Sequence, residues 1–212
     1  MANGDAYILI GGRSSRFGSD KASADLGGQT LAERALATVR EALPESRVTF
    51  VARNEAQFAI EAIRLDAPFI FDLIEGRGPL GGLHAALADA RSPWIIVMAC
   101  DYPFVTPPLI RMISEMISDL HGAVVPVQSD GRMQPLCSFY NVAKTKQLIN
   151  EIIERPRVPP PMHEIVGQLS PRLVSYSEYS HLPAAETIFL NVNSTTDLTE
   201  ALKIERKLSA EK

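Results

Sequence analysis

The stretch LIGGRSSRFGSDK, Leu9 to Lys21, runs from an apolar segment straight into glycines and the cations Arg13, Arg16 and Lys21. Glycines let backbone N–H groups approach an anion, and guanidinium and ammonium groups offset its charge. Such a loop can wrap a triphosphate, although the same composition also suits an ordinary surface loop. Two carboxylates stand at comparable places: Asp101 after WIIVMAC and Asp72 after PFIF. A carboxylate there either caps the next segment or binds a hard cation, and Mg²⁺ needs only one or two carboxylates beside waters and phosphate oxygens. In GRGPLGG, Gly78, Gly81 and Gly82 clear space for a flat group against backbone, or for a helix packed closely on a sheet. Asn191 and Asn193 in FLNVNSTTDL share one side if that segment is extended. Ser194, with Asp197 three residues on, reads as a helix cap. Together these residues form an inventory for a nucleotide and a divalent metal.

Other chemistries find no support. Neither G-x-G-x-x-G nor G-x-x-x-x-G-K-[ST] is present, since Gly18 is followed by Ser19-Asp20-Lys21. There is no G-x-S-x-G elbow and no Cys–His pair at a recognisable spacing. His84 and His121, two of the four histidines, read as structural. A formal charge of −4 argues against a surface for duplex nucleic acid. Cys100 and Cys137 are expected to be buried thiols in a reducing compartment. The opening MANGDAYILIGG has no basic n-region and no long apolar h-region, and no run approaches the roughly 18 apolar residues of a membrane span. A cytoplasmic protein is expected.

These residues must be positioned by the elements between them. Tyr7–Ile10, Val48–Ala52, Pro68–Phe71, WIIVMACD and GAVVPV read as strands. Helices are expected over Thr30–Leu43, Glu55–Ile63, the segment opened by Pro79, and Pro107–Leu120. The alternation predicts an α/β fold: a Rossmann-like, three-layer arrangement with a mostly parallel sheet and helices on both faces. WIIVMA, apolar throughout, reads as a central strand covered on both sides. After Val127 the pattern loosens into a strand in MQPLCSFYNV, a helix over Ala143–Glu154, a proline-rich break RPRVPPPM, a strand RLVSY and a helix over Thr196–Leu208. At 212 residues the chain is expected to form a single domain, 1–212, because the segment after the prolines is too short to fold alone. Ligands of such sheets bind at the carboxyl ends of the strands, where the residues above collect.

In this order the motifs resemble the molybdenum cofactor guanylyltransferases, the MobA family of nucleotidyltransferases. The family opens on L-A-G-G-x-S-x-R-M-G-x-D-K, against LIGGRSSRFGSDK here. Its G-P-L-A-G is matched by GPLGG, its C-D-x-P by Cys100-Asp101-Tyr102-Pro103, its Q-P-L by Gln134–Leu136, and its N-x-N-T-x-x-D-L by NVNSTTDL. The chain departs from the pattern at Ile10 (usually alanine), Phe17 (methionine), Gly81 (alanine) and Ser194 (threonine).

Residue by residue, the resemblance implies nucleotide binding by Leu9, Ile10, Gly11, Gly12, Lys21, Asp72, Gly78, Gly81 and Asp101. It implies phosphate contacts from Arg16 and Lys21, Mg²⁺ on Asp101, and Asn191 and Asn193 in the catalytic cleft. Residues 1–127 would hold the nucleotide and 128–212 the acceptor, with Arg155 and Arg157 a reasonable place for a pterin phosphate to dock. The implied substrates are GTP and molybdopterin; GMP would pass to the terminal phosphate of molybdopterin and pyrophosphate would leave. Transient contact with other cofactor-biosynthesis or molybdoenzyme-maturation proteins is implied as well.

The residues suit that reaction. A phosphate monoester has a second pKa of about 6, so the attacking oxygen is largely ionised at neutral pH and no strong general base is required. None is evident in the sequence. A cytidylyltransferase or a sugar-phosphate nucleotidyltransferase would share Lys21 and Asp101, but the cytidylyl branch usually opens with L-A-A-G rather than with two glycines. A nucleotide-binding regulator without catalysis has less need of Arg16, Lys21 and Asp101 together.

Overall fold

Each run expected to be a strand contains one, within a residue or two at its ends except for MQPLCSFYNV, whose strand starts four residues late at Cys137. The computed structural model describes residues 4–11, 21–55, 65–74, 76–154 and 158–210. Its strands are β1 (Asp5–Leu9), β2 (Val48–Ala52), β3 (Phe69–Phe71), β4 (Trp94–Ala99), β5 (Ala123–Pro126), β6 (Cys137–Asn141) and β7 (Arg172–Val174). They form one seven-stranded sheet in the order β3-β2-β1-β4-β6-β5-β7. The run β3-β2-β1-β4 is parallel, β7 is parallel to β5, and β6 is antiparallel to both β4 and β5. Every residue of β1, β2 and β4 is buried, and apart from Asp5 and Thr49 these strands are apolar, as strands covered on both faces tend to be.

Helices α1 (Leu31–Ala42), α2 (Pro79–Asp89), α3 (Pro107–Ser114), α4 (Val142–Ile153), α5 (Met162–Gly167), α6 (Tyr176–Tyr179) and α7 (Thr195–Ala210) surround the sheet. Alternate strand residues point to opposite faces. Ala6, Ile8, Phe50 and Met98 meet Leu36 and Val39 of α1 and Leu109 and Ile113 of α3 on one face. Tyr7, Leu9, Ile95 and Val97 meet Leu83 and Leu87 of α2 and Ile149 of α4 on the other. The three-layer α/β architecture expected from the sequence is therefore present. A third cluster around Leu26, Leu31, Phe104, Val192 and Ala201 seats α7. Helix α1 starts at a capping box: Thr30 Oγ1 accepts from Glu33 N at 3.1 Å, and Glu33 Oε2 accepts from Thr30 N at 2.7 Å.

Some boundaries differ from expectation. The helix expected to reach Leu120 stops at Ser114, where Met116 N and Ile117 N bond the carbonyls three residues back, tightening the turn. Met116 and Ile117 then pack against the core as the chain bends toward β5. Helices α5 and α6 are shorter than the window over which helical periodicity shows, and the sequence reading missed both. Beyond Glu55, the helix expected over Glu55–Ile63 lies outside the described residues. Among the described residues, no helix is long and apolar enough to cross a membrane.

The amino end of the sheet is tied by ions. Arg47 donates to Asp5 Oδ1 at 3.0 Å and to the Tyr7 hydroxyl at 2.8 Å, and pairs with Asp89 Oδ2 at 2.8 Å. Asp5 Oδ2 accepts from the backbone N–H groups of Arg91 and Ser92. At the carboxyl end, β1 and β4 are neighbours, and their connections lead to opposite halves of the sheet. Such a switch point opens a crevice for a ligand.

Candidate active site

The crevice is a cleft of about 360 Å³ at the ends of β1 and β4, lined by Leu9, Ile10, Gly11, Lys21, Gly78, Pro79, Ala99, Cys100, Asp101, Leu136 and Asn193. Its floor is set by the strand ends: Cys100 N donates to Leu9 O at 3.1 Å, and Ala99 N to Leu136 O at 2.8 Å. The second of these bonds brings the QPL segment to the cleft, because antiparallel β6 begins where β4 ends.

Helix α2 supplies another wall. Gly78 is its N-cap, with φ +54° and ψ −138°, a backbone state that residues with a side chain rarely adopt, and Pro79 follows in the first turn. Gly82 permits the close approach, since a Cβ there would stand 3.0 Å from Leu9 Cδ2. The amino end of α2, with no side-chain cap, thus borders the cleft where its dipole and N–H groups favour an anion.

Lys21 lies in a 3₁₀ turn, Lys21–Ser23. Its Nζ is 2.5 Å from Asp101 Oδ2 and donates to Asn193 Oδ1 at 2.8 Å. Asn193 is held in turn by the cap of α7. Its N–H donates to Asp197 Oδ2 at 2.9 Å, while Asp197 N donates to Ser194 Oγ at 3.2 Å, as the Ser194–Asp197 spacing suggests. The N–H of Asn193, with smaller help from Ser194 and the charge of Lys21, keeps the Asp197 carboxyl below its ordinary pKa despite some desolvation. Val192 N donates to Asp101 O at 3.0 Å, so the Asn191–Asn193 segment runs alongside Asp101-Tyr102.

Asp72 and Gly81 sit beside the cleft rather than in its lining. Asp72 N donates to Ala52 O at 3.0 Å, and a Cβ on Gly81 would lie 3.2 Å from Asp72 Oδ2. Burial pushes the Asp72 carboxyl up to about 6, against the lowering charge of Arg53. Asn191 is not among the lining residues either. Gly12, Arg13 and Arg16 fall outside the described residues, as do Arg155 and Arg157.

Sequence reasoning gave no role to Arg53, Tyr102 or the lining atoms of Leu136. Arg53 ends up next to Gly11, whose Cβ would lie 3.2 Å from Arg53 N, and its charge acts on Asp72. The signal for it was its place just after β2. His121 Nδ1 meets Ser170 O at 3.0 Å, and neither it nor His84 lines the cleft. Cys100 and Cys137 are buried, and neither is part of a disulfide.

Two buried oxygens, on the neighbouring Asp101–Tyr102 and Asn191–Asn193 stretches, have no hydrogen-bond partner: Asp101 Oδ1 and Asn191 Oδ1. Buried acceptors are seldom left so, and a carboxylate and a carboxamide oxygen are ligands that a hard divalent cation accepts. Among the described residues no three His, Cys, Asp or Glu side chains gather to hold a metal. A cation with only Asp101 and Asn191 from the protein would complete its shell with waters and substrate oxygens, as Mg²⁺ commonly does. The donor set therefore fits that ion.

A switch-point cleft with a helix amino end, one lysine and one carboxylate defines an α/β enzyme that handles phosphorylated nucleotides. The sequence model described as MobA-like NTP transferase domain matches residues 6–157, and the chain belongs to that family of nucleotidyltransferases. It is 31% identical, over 95% of its length and 93% of the relative's, to a probable molybdenum cofactor guanylyltransferase of Pelotomaculum thermopropionicum. A protein of the same description from Bacillus cereus strain Q1 is 29% identical over 96% of this chain and 98% of its own. The crystal structure of molybdopterin-guanine dinucleotide biosynthesis protein A from Archaeoglobus fulgidus superposes with a TM-score of 0.79 at 26% identity, covering 96% of this chain and 99% of that one. The 2-C-methyl-D-erythritol 4-phosphate cytidylyltransferase of Thermus thermophilus shares the fold, with a TM-score of 0.66 at 19% identity over 94% of this chain and 98% of that one.

Proposed function

We propose that the enzyme transfers GMP from GTP to the terminal phosphate of molybdopterin, releasing pyrophosphate with the help of Mg²⁺. The observation that carries the reading is the convergence of Lys21, Asp101 and Asn193 on a cleft bordered by the amino end of α2. The descriptions of the curated relatives support transfer of a guanylyl group to the molybdenum cofactor, and that of the Archaeoglobus fulgidus protein supports molybdopterin as the acceptor.

Backbone groups of Leu9–Gly11 and of the Gly78–Gly82 turn would bind and orient the nucleotide, with Asp72 contacting it from the end of β3. Lys21 would hold the phosphates and stabilise the charge that develops as the α–β phosphoanhydride bond breaks. Asp101, with Asn191, would hold Mg²⁺. When bound, that ion supplies charge neutralisation for the phosphates and the departing pyrophosphate. The acceptor phosphate, largely ionised at neutral pH, leaves no proton for the protein to remove. Leu136 brings residues 128–212 to the cleft edge, where we place the acceptor.

Calorimetric titration with GTP, CTP and ATP, each with Mg²⁺, tests the reading. Binding of GTP in clear preference is the expected result. A preference for CTP would move the protein to the cytidylyl branch of the same fold, and binding of none of the three would overturn a site formed for free nucleotide.

A further inference from the structure

Asp101, the carboxylate at the end of β4, is also the one that Lys21 holds. Lys21 Nζ donates to Asp101 Oδ2 at 2.5 Å and to Asn193 Oδ1 at 2.8 Å, so one ammonium bridges the end of β4 and the segment before α7. Both ends of the bridge are fixed by backbone. Ala24 N donates to Lys21 O at 3.1 Å and closes the 3₁₀ turn, while Val192 N donates to Asp101 O at 3.0 Å. Asn193 N donates to Asp197 Oδ2 at 2.9 Å. The Lys21 and Asp101 side chains are 17% and 14% exposed, so water and salt screen the pair only in part.

Charge then decides what this carboxylate can hold. Oδ2 is taken by Lys21, and Oδ1 is buried with no hydrogen-bond partner. A cation on Oδ1 would share one carboxylate with an ammonium, and the Lys21–Asp101 pair presents it with no net charge. Among the described residues no group of three His, Cys, Asp or Glu gathers to make up the difference. A divalent ion and an ammonium on one carboxylate repel each other, and even at the dielectric constant of water that changes affinity about tenfold. Triphosphate oxygens reverse the balance, because they are anionic ligands for the metal and for the lysine alike. The cleft has a place for them, since Lys21, Asp101 and Gly78 at the amino end of α2 share one lining.

We propose that Lys21 guards the metal site: by pairing with Asp101 it keeps a bare divalent ion off the carboxylate, so that the ion enters together with the nucleotide phosphates. The proposal rests on the reading of Asp101 as a ligand to the cation of a metal-bound nucleotide. It gives Lys21 a second effect of opposite sign to its first. The same positive charge that attracts the phosphates lowers the affinity for a metal that comes without them.

The test is a titration with Mn²⁺ alone, the free ion followed by electron paramagnetic resonance, for the wild type, Lys21→Met, Lys21→Arg and the Lys21→Met/Asp101→Asn double variant. Lys21→Met should bind Mn²⁺ about tenfold or more tightly than the wild type, and so take it up at concentrations that leave the wild type empty. Lys21→Arg keeps the charge and should stay at the wild-type affinity. Lys21→Gln is neutral but keeps an N–H donor for Asp101, and it gives the same reading if Lys21→Met fails to fold. Unchanged or weaker Mn²⁺ binding in the neutral variants, or an equal gain in Lys21→Arg, would overturn the guarding role. The double variant should lose the gain. A double variant that keeps it would instead overturn Asp101 as the metal ligand, so the two failures are distinguishable.

Discussion

The Lys21 ammonium stands 2.5 Å from one carboxylate oxygen of Asp101, leaving the other oxygen buried and unpartnered. One carboxylate thus anchors the lysine through one oxygen and leaves the other without a hydrogen-bond partner; under the proposed function these are a phosphate contact and a metal ligand. Lys21→Ala should therefore weaken GTP by roughly 10–100-fold, the range for losing a charge-assisted hydrogen bond, while leaving guanosine nearly unaffected. Equal losses for both ligands in calorimetry would place Lys21 away from the phosphates.

Gly81 is packed against Asp72, and the family pattern has alanine at its position. Alanine favours the helix by up to about 1 kcal/mol, but its Cβ would crowd Asp72 Oδ2 and Ile74 O, both at 3.2 Å. Gly81→Ala should keep or slightly raise the melting temperature while shifting the carboxylate. GTP binding should change by a few-fold, on the order of 1 kcal/mol or less. A crystal structure of the variant with Asp72 unmoved would contradict the coupling.

Burial sets the pH behaviour of Asp72, whose pKa is pushed up to about 6. The folded state holds this proton more tightly than the unfolded chain does. Its contribution to stability is thus present at acid pH and is lost as pH rises through about 6. Asp72→Asn should raise the melting temperature at pH 8 and leave it unchanged at pH 4. If the ionised carboxylate contacts the nucleotide, wild-type GTP affinity should rise through the same window and that rise should vanish in the variant. Melting curves and titrations at both pH values check the two halves separately.

The Arg47 network lies at the opposite end of the sheet and makes a contrasting prediction. Arg47→Met leaves the buried Asp5 with only backbone partners and should cost about 2–3 kcal/mol of stability, with nucleotide binding unchanged. Burial raises the Asp5 pKa, but the hydrogen bond and charge of Arg47 and the N–H groups of Arg91 and Ser92 outweigh it, so the net shift is downward. Its stabilisation is present above the ordinary value of 3.8 and is lost as pH falls through the lowered one. Denaturant unfolding at pH 7 and pH 3 should show the wild type and variant converging in acid.

The strands of the first 127 residues were legible because burial on both faces leaves largely apolar runs, as in Trp94–Ala99. Asp101 was legible because it follows the strongest of these. The direction of β6 was not: a buried strand carries the same residues whichever way it runs. Asn193 and Asp197 could be read as neighbours within a cap, but the contact of Asn193 with Lys21, 172 residues away, depends on α7 docking. The carboxylate of Asp72 was legible as a strand end, while its crowding by Gly81 depends on the distance between a sheet and a helix. Tyr102 was visible within a motif, but its edge-on packing against Phe189 depends on how the last segments dock.

The cap of α7 also bears on when the enzyme becomes competent. Lys21 and Asp101 can meet once β1 and β4 have paired, yet Asn191 and Asn193 arrive only after Ser194 and Asp197 have set the start of α7. On the ribosome, a growing chain would finish most of its sheet before its cleft received these last groups. Contacts so distant in sequence form late. A chain interrupted before α7 would therefore keep Lys21 and the strand-end carboxylate without the amides of the last segment, so synthesis itself withholds a finished site from an unfinished chain.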